Sequence, residues 1–207
     1  MEKSLSILHL NTNRNPRATE TALDLAVSRK VDILCIQEPW ILTARDEPPD
    51  FSNPKSTSHP SFTTIFPNSP PTLRPRTLIY VSRSLSAQTS LRKDFPQDPD
   101  FMAVDVIGQG FSFLLINIYN EENQQDSLQD YTVDRILPGV QLRQPTIVCG
   151  DFNAHHSRWN PSVQNAIRAE ALVEWVDSQS LSLLNTPGVG TFHRPQMSQE
   201  QGRRKSG

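Results

Sequence analysis

Short apolar runs, separated by polar turns, recur along the whole chain. Runs of this length, bounded by turn residues, are typical of strands buried in a sheet. The pattern predicts strands at residues 5–10, 31–36, 62–66, 77–82, 102–107, 111–119, 146–149 and 181–184, with another beginning at 191–193. Gly108-Gln109-Gly110 lies between two of these runs and predicts a hairpin.

Helical periodicity appears in three places. Asn15 is suited to cap a helix that begins with Pro16, and apolar residues at helical spacing follow it. The clearest helix is predicted at residues 165–178, and a weaker one at 127–137. The face of the clearest helix is formed by Ile167, Ala171, Leu172, Trp175 and Val176. Strands with helices between them indicate an α/β protein with sheets flanked by helices.

The segment at residues 41–75 has a different composition from the rest. It holds 8 of the 17 prolines, and proline removes a backbone hydrogen-bond donor that a central strand needs. We therefore expect a long surface excursion there, with the strand at 62–66 as its one regular element. The 207 residues suit one domain, predicted to end near residue 195. Residues 196–207 are polar and are predicted to form a disordered tail.

Charge and cysteine content narrow the class of protein. The formal net charge of −2 argues against a broad basic surface that coats nucleic acid, but not against an enzyme that works with a cation. The two cysteines, Cys35 and Cys149, lie in apolar runs and are predicted to be buried rather than to form a disulfide framework or a zinc site. We expect an intracellular protein without a signal peptide and without a membrane partner.

Polar residues follow the strongest predicted strands. Asn11 ends the first strand, Glu38 follows the second, Tyr119 ends a later one, and Asp151 follows another. Strand ends that meet at a common edge of a sheet would bring together two carboxylates, several amides and a phenol. Magnesium and manganese prefer such oxygen ligands, and magnesium usually takes one or two protein carboxylates. The sequence therefore predicts a divalent-metal site at this edge.

Four segments together carry a family resemblance. They are Leu-His-Leu-Asn-Thr-Asn at 8–13, Ile-Leu-Cys-Ile-Gln-Glu-Pro at 33–39, Asn-Ile-Tyr-Asn at 117–120 and Gly-Asp-Phe-Asn-Ala-His-His at 150–156. In this order and spacing they resemble the endonuclease/exonuclease/phosphatase superfamily. The longer string at 150–159 is most similar to the endonuclease domains of non-LTR retrotransposons. The resemblance implies a DNase I-like α/β fold: a four-layer sandwich of two mainly antiparallel β-sheets flanked by helices.

The resemblance also implies roles for individual residues. Glu38 would be the main carboxylate ligand of Mg²⁺, with Mn²⁺ as another possible metal, and Asn11 would support that site through hydrogen bonds. Asp151 would orient or deprotonate the attacking water. Asn153 would hold Asp151 and the scissile phosphate, and Tyr119 would donate a hydrogen bond to a phosphate oxygen.

Four more residues are assigned to substrate binding: Asn120, His155, His156 and Arg158. His155 and His156 are adjacent and would point apart in an extended segment, which favours a loop or substrate-groove role over a metal pair. The implied substrate is DNA, cut to leave a 3′-hydroxyl that primes reverse transcription. The chain would then belong to a larger polyprotein with a reverse transcriptase, and would work in the nucleus if it acts on chromosomal DNA.

One feature of the family pattern is missing. The family ends with a Ser-Asp-His segment, and no such segment occurs in this sequence. His193 precedes the region where it would lie and is not assigned as the catalytic histidine. This departure predicts a domain incomplete at its C-terminus, and it leaves two alternatives open: a catalytically impaired or dead remnant, and a phosphodiesterase or phosphatase acting on another substrate.

Overall fold

Two four-stranded sheets form the centre of the molecule. The computed structural model describes residues 4–42, 49–121, 131–142 and 144–189, except for the side chain of residue 168. Its strands are β1 (Ile7–Asn11), β2 (Ile33–Gln37), β3 (Ile41–Leu42), β4 (Lys55–Ser56), β5 (Phe62–Ile65), β6 (Thr77–Ser82), β7 (Ala87–Leu91), β8 (Phe101–Gly108), β9 (Phe111–Tyr119) and β10 (Thr146–Asp151). Its helices are α1 (Pro16–Ser28), α2 (Thr132–Ile136) and α3 (Ile167–Ser178), with a 3₁₀ turn at Leu137–Gly139.

The two sheets are built alike. The first has the strand order β1-β2-β6-β5 and the second β10-β9-β8-β7. In each sheet one edge pair is parallel, β1 with β2 and β9 with β10, and the other neighbours are antiparallel. A parallel pair needs a crossover connection, which contains α1 in the first sheet and α2 in the second. The predicted pair of mainly antiparallel sheets is confirmed.

Three apolar clusters define four layers. A cluster between the sheets includes Ile79 and Leu115 and both cysteines, which are buried as predicted. A second cluster packs Leu23 and the rest of the buried face of α1 on the outside of the first sheet. A third packs α2 and α3 on the outside of the second sheet, with Trp175 at its centre. Helix, sheet, sheet and helices therefore follow one another, which confirms the predicted sandwich.

Several local predictions hold in detail. The Asn15 side chain accepts hydrogen bonds from the backbone N–H groups of Arg17 at 2.9 Å and Ala18 at 3.3 Å, so it caps α1 as its sequence context indicates. The hairpin between β8 and β9 turns at Gly110, whose φ of +84° is unfavourable for residues with a side chain. The proline-rich excursion carries β5 as expected, and also a small separate sheet of β3 and β4.

Other local predictions are wrong. Strand β7 was not predicted, because its alternation of half-buried and exposed residues includes few large apolar side chains. Residues 181–184 are not a strand: Leu184 is 84% exposed and the segment pairs with neither sheet. Ile167 is exposed, and the buried face of α3 is formed by Ala169, Leu172 and Trp175. Four predictions lie outside the described residues. They are the strand at 191–193, the boundary near 195, the tail at 196–207 and the part of the helix predicted at 127–137 that precedes residue 131.

One end of the sandwich collects the ends of the parallel strands and the beginnings of their antiparallel neighbours. Asn11 lies beside Gln37, and Tyr119 beside Asp151. Arg76 and Asp100 immediately precede β6 and β8 at the same end. We call this end the rim. Within the part of the chain that the structure covers, no helix is both long and apolar enough to cross a bilayer.

Candidate active site

Glu38 stands at the rim in a constrained backbone conformation. Its φ of +46° is rare for a residue with a side chain and usually persists only where the surroundings impose it. Three hydrogen bonds impose it here. The Glu38 N–H donates to the Arg76 carbonyl at 2.8 Å, and its carbonyl accepts from the Thr12 hydroxyl at 2.9 Å and from the Arg14 N–H at 2.7 Å. The carboxylate therefore leaves the sheet in one defined direction.

Asn11 connects the two carboxylates of the rim. Its amide nitrogen donates to Glu38 Oε2 at 3.1 Å and to Asp151 Oδ2 at 2.9 Å. Its amide oxygen accepts the Asn13 N–H at 2.7 Å, which fixes the orientation of the amide because only the NH₂ group can then face the carboxylates. Glu38 belongs to the first sheet and Asp151 to the second, so this one side chain joins the two halves of the site.

Asp151 depends on the glycine before it. Gly150 has a φ of +154°, and a Cβ at this position would collide with the carbonyl of Ile118 on β9. The absence of a side chain lets β10 lie close to β9 at the point where Asp151 begins to face the rim. In the Gly-Asp motif, the glycine is therefore required by the backbone and the aspartate by the chemistry of the site.

Asn153 and Asn120 hold the chain that follows Asp151. The Asn153 amide donates to the Asn120 carbonyl at 2.7 Å, and only the Asn153 backbone N–H approaches Asp151 Oδ1, at 3.4 Å. Asn120 is fully buried, donates to the Phe152 carbonyl at 2.8 Å and accepts the Val133 N–H at 3.2 Å. Both ends of the Asn120 amide are therefore engaged inside the protein, and its predicted role in substrate binding stays a prediction.

Tyr119 lies beside Glu38. Burial, followed by the negative charge and a side-chain hydrogen bond of Glu38, raises the pKa of Tyr119 above its ordinary value. The phenol therefore stays protonated over a wider pH range than a free tyrosine does. A neutral phenol next to a carboxylate can donate a hydrogen bond, as the predicted contact with a phosphate oxygen requires.

Two arginines at the rim were not identified from the sequence. A guanidinium nitrogen of Arg14 lies 3.2 Å from Glu38 Oε1, and the Arg76 guanidinium lies over the Tyr119 ring at 5.5 Å from its centre. No motif marks Arg14, which reaches the site through the turn after β1. Arg76 immediately precedes the predicted strand at 77–82, which the structure shows to be antiparallel to its neighbours and which therefore begins where the parallel strands end.

Two buried amides lie directly behind the rim. Gln37 on the first sheet donates to the side chain of Asn117 on the second at 2.5 Å. Asn117 in turn donates to the carbonyls of Ile36 and Leu78, at 3.1 Å each. This network satisfies polar groups that the apolar space between the sheets would otherwise leave unpaired, which is costly in a core. It also aligns the sheets directly behind the two carboxylates, one residue from Glu38 and two from the level of Asp151.

The histidine segment lies away from this cluster. His156 is buried, stacks on Trp159 at 5.1 Å between ring centres and accepts the Arg158 N–H at 3.0 Å. The Arg158 guanidinium pairs with Asp177 of α3 at 2.6 Å. His155 is exposed, and its carbonyl accepts the Ala166 N–H at 2.8 Å. The contacts of His156 and Arg158 fold this loop onto α3, and the substrate-groove role predicted for them stays a prediction.

The donor set of the rim suits a hard divalent cation. Glu38 and Asp151 supply carboxylate oxygens, held together through Asn11. Among the residues described, no group of three or more His, Cys, Asp or Glu side chains is placed to hold a metal. A donor set of carboxylate and amide oxygens is of the kind that magnesium binds, since it usually takes one or two carboxylates and keeps several waters.

Comparisons with known proteins agree with this architecture. Residues 113–201 match the family model described as "Endonuclease-reverse transcriptase". A search of the curated proteins found no match. Among solved structures, the endonuclease domain of TRAS1, a telomere-specific non-LTR retrotransposon, is similar with a TM-score of 0.65 and 18% identity, over 91% of this chain and 77% of that one.

A second solved structure shows the same fold at lower identity. It is the AP endonuclease LMAP from Leishmania major, with a TM-score of 0.53 and 12% identity, over 84% of this chain and 65% of that one. The fold of the chain is therefore DNase I-like, as in these two endonucleases, and residues 113–201 are similar to an endonuclease family model.

Proposed function

We propose that the chain is a Mg²⁺-dependent endonuclease domain of the non-LTR retrotransposon type, which nicks DNA. The observation that carries this proposal is the Asn11 amide, which brings carboxylates from two different sheets to one point. Two carboxylates held on one amide at an exposed rim supply the oxygen ligands that a divalent cation prefers. The similarity to the TRAS1 endonuclease domain supports DNA as the substrate.

Each residue of the rim has a task in phosphodiester hydrolysis. Glu38, with Asn11 in support, holds the metal, which when bound neutralises negative charge on the phosphate. Asp151 orients the attacking water and accepts its proton. Tyr119 donates a hydrogen bond to a phosphate oxygen, since its raised pKa keeps the phenol neutral. Arg14, whose side chain is 47% exposed, can turn from Glu38 to the phosphate when a metal takes its place.

The wider setting belongs to the same proposal. The product would be a nick with a 3′-hydroxyl from which a reverse transcriptase on the same polyprotein extends, and the protein would act inside the cell, in the nucleus. The match to the "Endonuclease-reverse transcriptase" model supports this association.

Nicking of supercoiled plasmid with Mg²⁺, and with chelator, tests the proposal. We expect Glu38→Gln and Asp151→Asn to lower the nicking rate by a factor of about 10² to 10³ or more, because each removes a charge that acts on the reacting groups while keeping the side-chain shape. Glu20→Gln and Asp24→Asn are matched controls, since they make the same changes on the exposed face of α1. They should nick at the wild-type rate.

Three outcomes would contradict the proposal. A folded wild-type protein that does not nick DNA with Mg²⁺ or Mn²⁺, but hydrolyses a small phosphodiester, would point to another phosphodiesterase substrate. A folded protein inactive on both would favour the impaired remnant that the missing Ser-Asp-His segment suggests. Nicking that survives in Glu38→Gln and Asp151→Asn would move the site elsewhere.

A further inference from the structure

An ion pair crosses between the sheets beside the candidate site. Arg76 immediately precedes β6 of the first sheet, and Asp100 immediately precedes β8 of the second. The guanidinium meets both oxygens of the Asp100 carboxylate at 2.5 Å, a two-pronged geometry that only arginine provides. The Asp100 side chain is fully buried and that of Arg76 is 20% exposed. This pair, the Arg76–Asp100 clamp, therefore fixes the two sheets relative to each other at the rim.

The main chain of the clamp holds two residues of the site. The Arg76 carbonyl accepts the Glu38 N–H at 2.8 Å, and the Asp100 carbonyl accepts the Tyr119 N–H at 2.9 Å. The Arg76 guanidinium also lies over the Tyr119 ring, 5.5 Å from its centre, at a distance where a cation attracts the ring face. The clamp thus touches Glu38 on one sheet and Tyr119 on the other.

Stability alone is a weak reason for this clamp. Placing a carboxylate in the interior is costly, and a buried ion pair is often no better for stability than apolar residues of the same volume. Burial raises the pKa of Asp100, and the neighbouring Arg76 and Arg135 act in the opposite direction. A directional ion pair that costs free energy to bury is suited to fixing the positions of the two sheets relative to each other.

We infer that Arg76 is a positioning residue, which holds the Tyr119 hydroxyl against the Glu38 carboxylate through its pairing with Asp100. The inference rests on the proposed hydrolysis for its consequence in rate. It concerns a residue that neither the sequence motifs nor the comparisons assign. A reacting group displaced by about 1 Å can cost a factor of about 10² in rate, so the clamp affects turnover more than substrate affinity.

The chain offers a matched control in Arg92. Arg76 pairs with two carboxylates, Asp100 and Glu121. Arg92 likewise pairs with Asp94 and Asp105, and its guanidinium lies over the Phe95 ring at 5.3 Å from the centre. It follows β7, the edge strand farthest from the parallel pair of the second sheet. Arg92→Gln therefore removes the same kinds of contact without touching Glu38 or Tyr119.

The first measurement is independent of nicking. The chain has three tyrosines, so fluorotyrosine labelling gives three ¹⁹F resonances, and Tyr119→Phe identifies that of Tyr119. Glu38→Gln should shift the Tyr119 resonance in the wild-type background and in Arg92→Gln. The shift should be lost or at least halved in Arg76→Gln. Because Arg76→Gln leaves Asp100 buried without its main partner, the uncharged pair Arg76→Gln/Asp100→Asn is measured as well.

The second measurement is a kinetic double-mutant cycle. Arg76→Gln should lower kcat for nicking by about 10-fold, as much as the loss of the Tyr119 hydroxyl itself, with KM changed less than about twofold. In the Tyr119→Phe background the same change should cost less than about threefold, because its effect is exerted through Tyr119. Arg76→Lys, which keeps the charge without the two-pronged geometry, should remain impaired.

The outcomes separate this inference from the proposed function. An unchanged ¹⁹F response to Glu38→Gln in both Arg76 variants would overturn the positioning role, whatever the nicking rate. An equal cost of Arg76→Gln with and without Tyr119 would overturn it as well. If the wild type does not nick, the proposed function fails, and the ¹⁹F experiment alone still decides whether Arg76 places Tyr119 against Glu38.

Discussion

The two halves of the segment at 150–159 are continuous in sequence but lie in different surroundings. The first half, with Gly150 and Asp151, faces Asn11 across the gap between the sheets. The second half is folded onto α3 through His156 and Arg158. Both were predicted to work at one site. The difference teaches that a contiguous motif can combine chemistry with the local packing that supports it.

After the substitutions of the two carboxylates themselves, the largest expected effect concerns Asn11. Asn11→Ala should lower the nicking rate about 100-fold, because the two carboxylates lose the amide that joins them and the site loses its geometry. Plasmid nicking at saturating Mg²⁺ measures it. The control is Asn160→Ala, directly after the second half of the segment, where the Asn160 side chain accepts from Ser162. Equal losses in the two variants would remove the distinction between the halves.

Tyr119 should give the next largest effect. Tyr119→Phe should lower kcat about 10-fold by removing one hydrogen-bond donor. Since burial and Glu38 raise the pKa of Tyr119, the wild-type rate should show no loss centred near pH 10, the ordinary pKa of tyrosine. A pH–rate profile of both proteins checks this. An alkaline loss near pH 10 that is present in the wild type and absent in Tyr119→Phe would contradict the assignment.

His156 should matter for stability rather than for rate. His156→Ala removes a buried ring that stacks on Trp159 and accepts a backbone N–H, so the free energy of unfolding should fall by about 1–3 kcal/mol. Urea unfolding measures it. Nicking by the folded variant should stay within about twofold of wild type. His155→Ala, at the exposed neighbour, is the control and should change neither quantity.

Arg158 should give the smallest effect. Its pair with Asp177 is largely accessible to solvent, so Arg158→Ala should change stability by less than about 1 kcal/mol. If Arg158 contacts a phosphate of the DNA instead, Arg158→Ala should weaken DNA binding. The slope of the logarithm of affinity against the logarithm of salt concentration should then become smaller in magnitude by about 1, which corresponds to one phosphate contact. A salt titration of DNA binding for wild type and variant separates the two results.

Much of the fold could be predicted because it depends on local signals. The Asn15 cap, the hairpin at Gly110 and the buried runs of β2 and β9 are patterns read within a few residues. The predictions that failed depend on which other segment of the chain lies beside the predicted element. Residues 181–184 are apolar enough for a strand, but a strand needs a neighbour with free backbone groups, and their own sequence does not supply one.

The candidate site shows the same division. Asn11, Glu38, Tyr119 and Asp151 stood out because each ends a buried strand. Asn120 also stood out, yet it is buried with its amide engaged. Arg14 reaches Glu38 through a turn with two successive left-handed residues, Asn13 and Arg14, a conformation that neither residue type requires. Proximity of this kind follows from chain geometry rather than from residue type.

The sequence by itself determined the alternation of strands and helices, the capped start of α1 and the oxygen-rich chemistry at the strand ends. Only the tertiary structure decided which groups meet: that the Asn11 amide spans two carboxylates, and that Arg76 faces Asp100 across the sheets. The physical reason is the separation along the chain over which each kind of interaction acts. Periodicity, capping and turn preferences act within a few residues, whereas sheet order and the packing of two sheets join residues far apart in the chain.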